Sequence, residues 1–188
     1  YNLGTVFQAQ GKLDEASDRY QKAISFKPDY ADAHYNLGVV FQTQGKLEMA
    51  ISCFKTATSC QPTYVEAFYS AGVVCQSLGL PDEARNCFRQ TLSLKPDHAE
   101  ALHNLGIILK DQGEPEEAIF CYQKAISLKP NVAETHSNLG IALQEQYKLD
   151  EAARSLNQAL LLKPDFAEAH YNLGNVLKDR GQLDKAAE

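Results

Sequence analysis

Apolar residues recur along the chain at helical spacing, in two groups within each of several successive repeats. The first group of residues 31–64 lies at positions i, i+3, i+4 and i+7, which mark one helical face: His34, Leu37, Gly38 and Phe41. The second group lies at positions i, i+4 and i+7: Ala50, Phe54 and Ala57. One glycine returns at a constant interval without insertion, at Gly4, Gly38, Gly72, Gly106, Gly140 and Gly174. The pattern predicts stacked pairs of facing helices.

Turn-forming residues separate these helices. Glycine lies between the two halves of a repeat, where a left-handed helix end favours it, at Gly11, Gly45, Gly79, Gly113 and Gly181. Proline ends each second helix, at Pro28, Pro62, Pro96, Pro130 and Pro164. We therefore expect a single array with a partial repeat at 1–30, repeats at 31–64, 65–98, 99–132 and 133–166, and a partial repeat at 167–188. Incomplete outer repeats indicate an excerpt of a longer array, whose open ends would allow end-to-end, homo-oligomeric stacking.

Small and large residues also recur in register. Alanines stand at Ala16, Ala50, Ala84, Ala118 and Ala152, and large residues at Tyr20, Phe54, Phe88, Tyr122 and Leu156. Together with the leucine–glycine pairs and the closing prolines, this pattern resembles the tetratricopeptide repeat. Two residues depart from the pattern. Tyr147 stands where other repeats have a turn glycine, and Thr91 stands where they have an alanine late in the second helix. The resemblance implies an all-α solenoid, a right-handed superhelix of antiparallel helix pairs with the first helices on its concave side.

Charge and composition narrow the classes of partner. The net charge is −6 and the isoelectric point is near 5.4, with no cluster of lysine and arginine, so we expect no nucleic-acid partner. No apolar run approaches the roughly 18 residues of a membrane span, so we expect no membrane partner. We also find no nucleophile–base pair, phosphate loop or clustered metal ligands, and therefore expect neither a cofactor nor an enzyme site within this chain.

The cysteines are expected to be reduced thiols. Cys53, Cys87 and Cys121 recur at the interval of the repeat, and stacked helix pairs would hold them roughly 8–10 Å apart or more, beyond the reach of a disulfide. Cys60 and Cys75 fall in apolar columns and are expected in the core. Reduced thiols fit a cytoplasmic, intracellular protein. His34, His136 and His170 share a column in which core packing is favoured over metal binding.

An asparagine column provides the candidate binding site. Asn36 points about 150° away from the apolar stripe of its helix, although asparagine is roughly 0.6 kcal/mol worse than alanine within a helix. The acids on this face follow a capping residue by three positions, which predicts capping boxes rather than ligand contacts: Asp32, Glu66, Glu100, Glu134 and Glu168. Asn36 is too far from either helix end for such a role.

Two interpretations of the asparagines remain open. They could hydrogen-bond a neighbouring helix and set the stacking register. Alternatively, they form a ladder that binds the backbone of an extended peptide, since each amide offers a donor and an acceptor: Asn2, Asn36, Asn104, Asn138 and Asn172, with Ser70 as a gap. Tyr35, Tyr69 and Asn175 are added as candidate contacts beside them. First helices about 9–10 Å apart would meet an extended chain near every third residue.

Unbroken repeats with this asparagine column resemble the superhelical arm of the O-linked N-acetylglucosamine transferases. That resemblance implies that the asparagines hold a substrate backbone and that the chain is the recognition arm of a larger glycosyltransferase. A scaffold that binds protein subunits through its convex or edge surfaces is the alternative. Recognition of carboxylate tails is disfavoured, because the corresponding columns contain no cluster of lysines or arginines.

Overall fold

In the computed structural model, which describes residues 1–181, the chain forms eleven α-helices and no strand within that range. It divides into two compact units, residues 1–96 and 97–188. The first unit contains α1 (Asn2–Ala9), α2 (Leu13–Phe26), α3 (Ala31–Thr43), α4 (Leu47–Cys60), α5 (Val65–Ser77) and α6 (Pro81–Leu94). The second contains α7 (Ala99–Asp111), α8 (Pro115–Leu128), α9 (Ala133–Glu145), α10 (Leu149–Leu162) and α11 (Ala167–Asp179). The predicted all-α architecture of helix pairs is confirmed, whereas the end of the partial repeat 167–188 lies outside the described residues.

Four of the second helices pack between two first helices of their own unit. In the first unit, α2 contacts α1 and α3, and α4 contacts α3 and α5. In the second unit, α8 contacts α7 and α9, and α10 contacts α9 and α11. First helices also contact one another there, since α9 touches both α7 and α11. The apolar stripe of each of these second helices is therefore buried on both sides, and the core continues from one repeat to the next within a unit.

The helix pairs are held close by a glycine that faces a large side chain. A Cβ atom added at Gly38 would lie 2.6 Å from the fully buried Phe54 ring. The equivalent distances are 2.8 Å from Gly4 to Tyr20, 2.7 Å from Gly72 to Phe88, 2.6 Å from Gly106 to Tyr122 and 2.6 Å from Gly140 to Leu156. No other residue type would fit at these positions without moving the opposing side chain.

The two departures from the repeat pattern keep the common geometry. Tyr147 has a φ of 56°, close to the 69–78° of the glycines in the other turns, so the tyrosine adopts a left-handed conformation that it rarely populates. Thr91 is fully buried, and its hydroxyl donates to the carbonyl oxygen of Cys87 at 2.9 Å. The helix itself therefore satisfies the polar atom that replaces alanine.

One predicted core column is wrong. We expected Cys60 to be a core residue because Phe26, Leu94, Leu128 and Leu162 fill the same position. In the structure Phe26 is 89% exposed, Leu94 and Leu128 are also exposed, and Cys60 and Leu162 are half-buried. The column is the last residue of each second helix, where the side chains remain partly or largely open to solvent. Cys75, by contrast, is buried as predicted.

Candidate functional site

The five asparagines of the predicted ladder all lie on first helices. Asn2 is exposed, whereas Asn36, Asn104, Asn138 and Asn172 are half-buried. None belongs to the buried core, as their angular position on the helices predicted. We call the surface that carries Asn104, Asn138 and Asn172 in the second unit the asparagine face. Asn175 lies one turn after Asn172 on α11 and is also half-buried.

The side-chain amides differ in their hydrogen bonding. Nδ2 of Asn36 donates to the hydroxyl of Tyr1 at 2.8 Å, which links α3 to the residue that precedes α1. The amides of Asn104, Asn138 and Asn172 form no hydrogen bond with any other described residue of the second unit. The Asn36 amide thus already makes one structural hydrogen bond. The amides of the asparagine face make none with the other described residues of their unit, so their donors and acceptors remain unused there.

The residue that stands 35 positions before each asparagine differs between the repeats. Tyr1 stands 35 positions before Asn36 and supplies the hydroxyl that accepts its N–H. His103 stands 35 positions before Asn138, but its Nδ1 atom hydrogen-bonds the hydroxyl of Thr135 at 2.8 Å. Ser137 stands 35 positions before Asn172 and has no phenol to offer. The preceding repeat therefore supplies the partner of Asn36, whereas the residues at the same spacing before Asn138 and Asn172 supply none.

Burial also affects His103 itself. Desolvation lowers the pKa of this imidazole, and the nearby Glu134 carboxylate opposes the shift. The ring lies 6.0 Å from that of Tyr122 in an edge-on arrangement. Burial therefore disfavours the charged form of the imidazole that precedes Asn104.

The candidate tyrosines pack into their own repeats. The ring centroid of Tyr35 lies 5.7 Å from that of Phe54 and 5.0 Å from that of Tyr64. The ring of Tyr69 lies 5.9 Å from that of Phe88. Both side chains are half-buried, so each presents only part of its ring beside the asparagine column.

The predicted capping boxes are wrong. The residues that precede the first helices are Tyr30, Tyr64, Val132 and Phe166, which provide no side-chain cap, and His98, whose ring accepts from the N–H of Ala101. Three of the five acids instead bond to side chains near the end of the same repeat. Asp32 accepts from the hydroxyl of Tyr64 at 3.1 Å, Glu134 pairs with Lys163 at 3.5 Å, and Glu100 pairs with Lys129. The Lys129 ammonium lowers the pKa of Glu100.

The histidine column has a structural role that the sequence pattern did not predict. Nε2 of His34, His136 and His170 donates to the carbonyl oxygen of Pro28, Pro130 and Pro164, respectively, at 2.8, 2.8 and 2.9 Å. Each bond joins the start of a first helix to the end of the preceding second helix. The constant separation of proline and histidine was the available signal. Within residues 1–181, no group of three or more histidines, cysteines or acids is placed to hold a metal ion.

The five cysteines are free thiols. Burial raises the pKa of Cys53 and of Cys87 to about 11. These thiols therefore stay protonated and weakly nucleophilic near neutral pH. No helix in the described range is both long enough and apolar enough to cross a membrane.

Comparison with known proteins identifies the repeat type. The family model of the cilia and flagella-associated protein 70 C-terminal domain, a tetratricopeptide-repeat model, matches residues 1–188. The crystal structure of MamA aligns with 25% identity and a TM-score of 0.82, covering 89% of this chain and 98% of that one. The structure of YrrB, described as a TPR protein with an unusual peptide-binding site, aligns with 25% identity and a TM-score of 0.83, covering 90% and 88%.

A further structure shows the fold alone. The pilF protein of Pseudomonas aeruginosa aligns with 21% identity and a TM-score of 0.80, covering 99% of this chain and 85% of that one. The comparison with curated proteins found no match.

Proposed function

Because the chain belongs to the family of the cilia and flagella-associated protein 70 C-terminal domain and has the tetratricopeptide fold, a non-catalytic protein-interaction fold, we propose that it binds extended protein segments through its asparagine column. The observation that supports this proposal is the set of half-buried amides of Asn104, Asn138 and Asn172, which are unpaired within the described part of their unit. A peptide binds along the asparagine face, and each amide donates to a backbone carbonyl and accepts from a backbone N–H.

The energetics favour a ligand for these amides. Each asparagine costs a helix roughly 0.6 kcal/mol relative to alanine. Asn138 and Asn172 obtain no hydrogen bond from the other described residues of the second unit that offsets this cost. A bound backbone would supply one, and a hydrogen bond contributes about 0.5–1.5 kcal/mol. Recognition of this kind is independent of the ligand's sequence, since every residue except proline has the same backbone groups.

The sequence resemblance to O-linked N-acetylglucosamine transferases suggests a finer role. In that form of the proposal, the array is the substrate-recognition arm of a larger glycosyltransferase. The repeated NLG motif and the asparagine column support it, and the array alone would bind substrate without modifying it. YrrB, a protein of the same fold that is described as having a peptide-binding site, supports the coarser statement of peptide binding.

A scaffold is the second candidate function, and one contact favours it. The hydrogen bond from Asn36 to Tyr1 shows that an asparagine of this column can serve packing. If all the asparagines served packing, partners would bind to the edges or the opposite surface. Substitution of the asparagines would then change stability and leave partner binding intact.

Alanine substitution of Asn138 and Asn172 separates the two functions. The probe is a fluorescein-labelled peptide of about 15 residues of glycine, serine and alanine, which spans about 50 Å when extended. Binding is measured by fluorescence anisotropy. Loss of one amide contact should weaken binding about 3- to 10-fold per site. Urea unfolding of the same variants should show a stability gain of roughly 0.6 kcal/mol each.

Two further variants serve as controls. Asn86→Ala removes an exposed asparagine from a second helix, and should give the same stability gain without a loss of binding. His103→Tyr places a phenol 35 positions before Asn138, as Tyr1 stands before Asn36, and should weaken binding as Asn138→Ala does. Unchanged peptide affinity in all the asparagine-face variants, together with reduced stability, would favour the scaffold.

A further inference from the structure

A lysine that precedes the loop between repeats lies beside an acid or an aromatic ring. Nζ of Lys163 is 3.5 Å from a carboxylate oxygen of Glu134 and 4.8 Å from the ring centroid of Phe166. In repeat 99–132, Lys129 pairs with Glu100. Nζ of Lys27 lies 5.0 Å from the ring centroid of Tyr30. In repeat 133–166 the fold thus holds an ammonium close to both the acid that opens the first helix and the ring that follows the loop.

Repeat 31–64 retains the acid and the ring but lacks the lysine. The lysine column reads Lys27, Gln61, Lys95, Lys129 and Lys163. The exposed Gln61 side chain is neutral, whereas Asp32 and Tyr64 occupy the positions of Glu134 and Phe166. A second ring is present, because the centroid of Tyr35 lies 5.0 Å from that of Tyr64.

The Asp32 carboxylate of repeat 31–64 has hydrogen-bonding capacity left for a ligand. Its Oδ1 atom accepts from the hydroxyl of Tyr64 at 3.1 Å, and no lysine or arginine among residues 1–181 pairs with Asp32. Asp32, Tyr35 and Tyr64 are all half-buried, so each leaves part of its surface accessible. A charged carboxylate close to a pair of packed tyrosine rings is a favourable environment for an organic cation.

We propose that Asp32, Tyr35 and Tyr64 form a cation seat for a lysine or arginine side chain of the bound protein segment. The ligand's cation occupies the place that Lys163 takes in repeat 133–166, with its charge against Asp32 and its alkyl or guanidinium part against the rings. The inference rests on the proposed function in that the cation belongs to a bound protein segment, and the seat itself lies wholly within the first unit. A single carboxylate is a poor site for a divalent metal, which requires several oxygen ligands.

The lysine of this column does not form an ion pair in every repeat. Lys95 forms no ion pair with Glu66 in the part of the chain described, so the pair forms in two of the three repeats that carry both charges. The seat therefore binds a cation weakly by itself. It adds selectivity for protein segments that contain a basic residue.

The experiment compares two labelled peptides of the same glycine, serine and alanine composition, with either lysine or norleucine at the centre. The wild-type protein should bind the lysine peptide about 5- to 10-fold more tightly, as a cation–π contact and a partly exposed ion pair together allow. Gln61→Lys fills the seat with the protein's own ammonium and should abolish this preference. Gln61→Met is the matched control, which changes the same side chain without adding charge and should retain the preference.

Each outcome either supports or overturns the seat. Equal affinity of the wild-type protein for both peptides overturns it while leaving backbone binding intact. If neither peptide binds, N-acetyl-lysine methylamide is titrated and the NMR signals of Tyr35 and Tyr64 are followed. Shifts that occur in wild type and Gln61→Met but not in Gln61→Lys then support the seat although the backbone-binding proposal fails. Absence of shifts in wild type overturns both.

Discussion

At the scale of single residues, two buried tyrosines differ in the partner of their hydroxyl. Tyr20 and Tyr122 are both fully buried against a glycine of the facing helix. The hydroxyl of Tyr20 donates to Gln8 at 2.7 Å, and burial raises its pKa to about 12. The hydroxyl of Tyr122 is buried without a hydrogen-bond partner in the described range, where Lys110 stands in place of glutamine.

Phenylalanine substitution should therefore have opposite consequences at these two sites. Tyr20→Phe removes a hydrogen bond and leaves the Gln8 amide oxygen unpaired, which should lower the free energy of unfolding by about 1 kcal/mol. Tyr122→Phe removes an unsatisfied hydroxyl and should leave the stability unchanged or raise it by up to about 1 kcal/mol. Urea unfolding of both variants measures this contrast. Equal losses would mean that the Tyr122 hydroxyl has a partner such as an ordered water.

At the scale of the helix pair, the turn at Tyr147 is strained. Its side chain is 87% exposed and its φ is 56°, so it has little packing to offset the cost of a left-handed conformation. Tyr147→Gly should raise the stability by about 0.5–1 kcal/mol, because glycine adopts this conformation freely but loses more chain entropy on folding. Thermal or urea unfolding checks this change.

Tyr147→Ala is the control for this prediction. It removes the aromatic ring but keeps a Cβ atom in the left-handed conformation, and should therefore gain little. A similar gain for both variants would assign the effect to the exposed ring rather than to the backbone.

Helix pairing could be predicted from the sequence, whereas the ends of the elements could not. The glycines that recur at the interval of the repeat correctly predicted five turns that follow first helices, because a left-handed turn depends on a local steric preference for glycine. The predicted capping boxes and the predicted burial of the Phe26 column were wrong. Both depend on which side chains of the loop and the next helix approach these residues. Asp32 met the aromatic hydroxyl of Tyr64 instead of a backbone N–H, and that pairing has no local signal.

At the scale of the whole molecule, a repeat array transmits a perturbation mainly to its neighbours. Gly38→Ala places a methyl group 2.6 Å from Phe54 and should cost about 1–3 kcal/mol despite the better helix propensity of alanine. Amide hydrogen exchange should therefore quicken most in α3 and α4, and much less in α9 and α10.

Ser70→Ala is the control, since it introduces no Cβ atom at a helix contact and should leave exchange nearly unchanged. Uniformly faster exchange across all the described helices in Gly38→Ala would show that the array unfolds as one cooperative unit. In that case the nearest-neighbour description would fail.

The candidate site was predictable in part. Its column of asparagines is visible in the sequence, and all five lie outside the core on first helices. Their pairing was not predictable, because it requires the distance between side chains of successive repeats. Asn36 and Asn138 have the same local sequence motif, NLG, and differ in the residue that stands 35 positions earlier.

This dependence on the preceding repeat has an evolutionary consequence. Tandem repeats gain and lose copies by unequal recombination, which preserves each repeat but changes which repeat comes before it. A rearrangement that brings a tyrosine 35 positions before Asn138 or Asn172, as Tyr1 stands before Asn36, would offer that asparagine a packing partner in place of the proposed ligand. Binding could therefore be gained or lost without mutation of any contact residue, and the order of repeats becomes a heritable property in its own right.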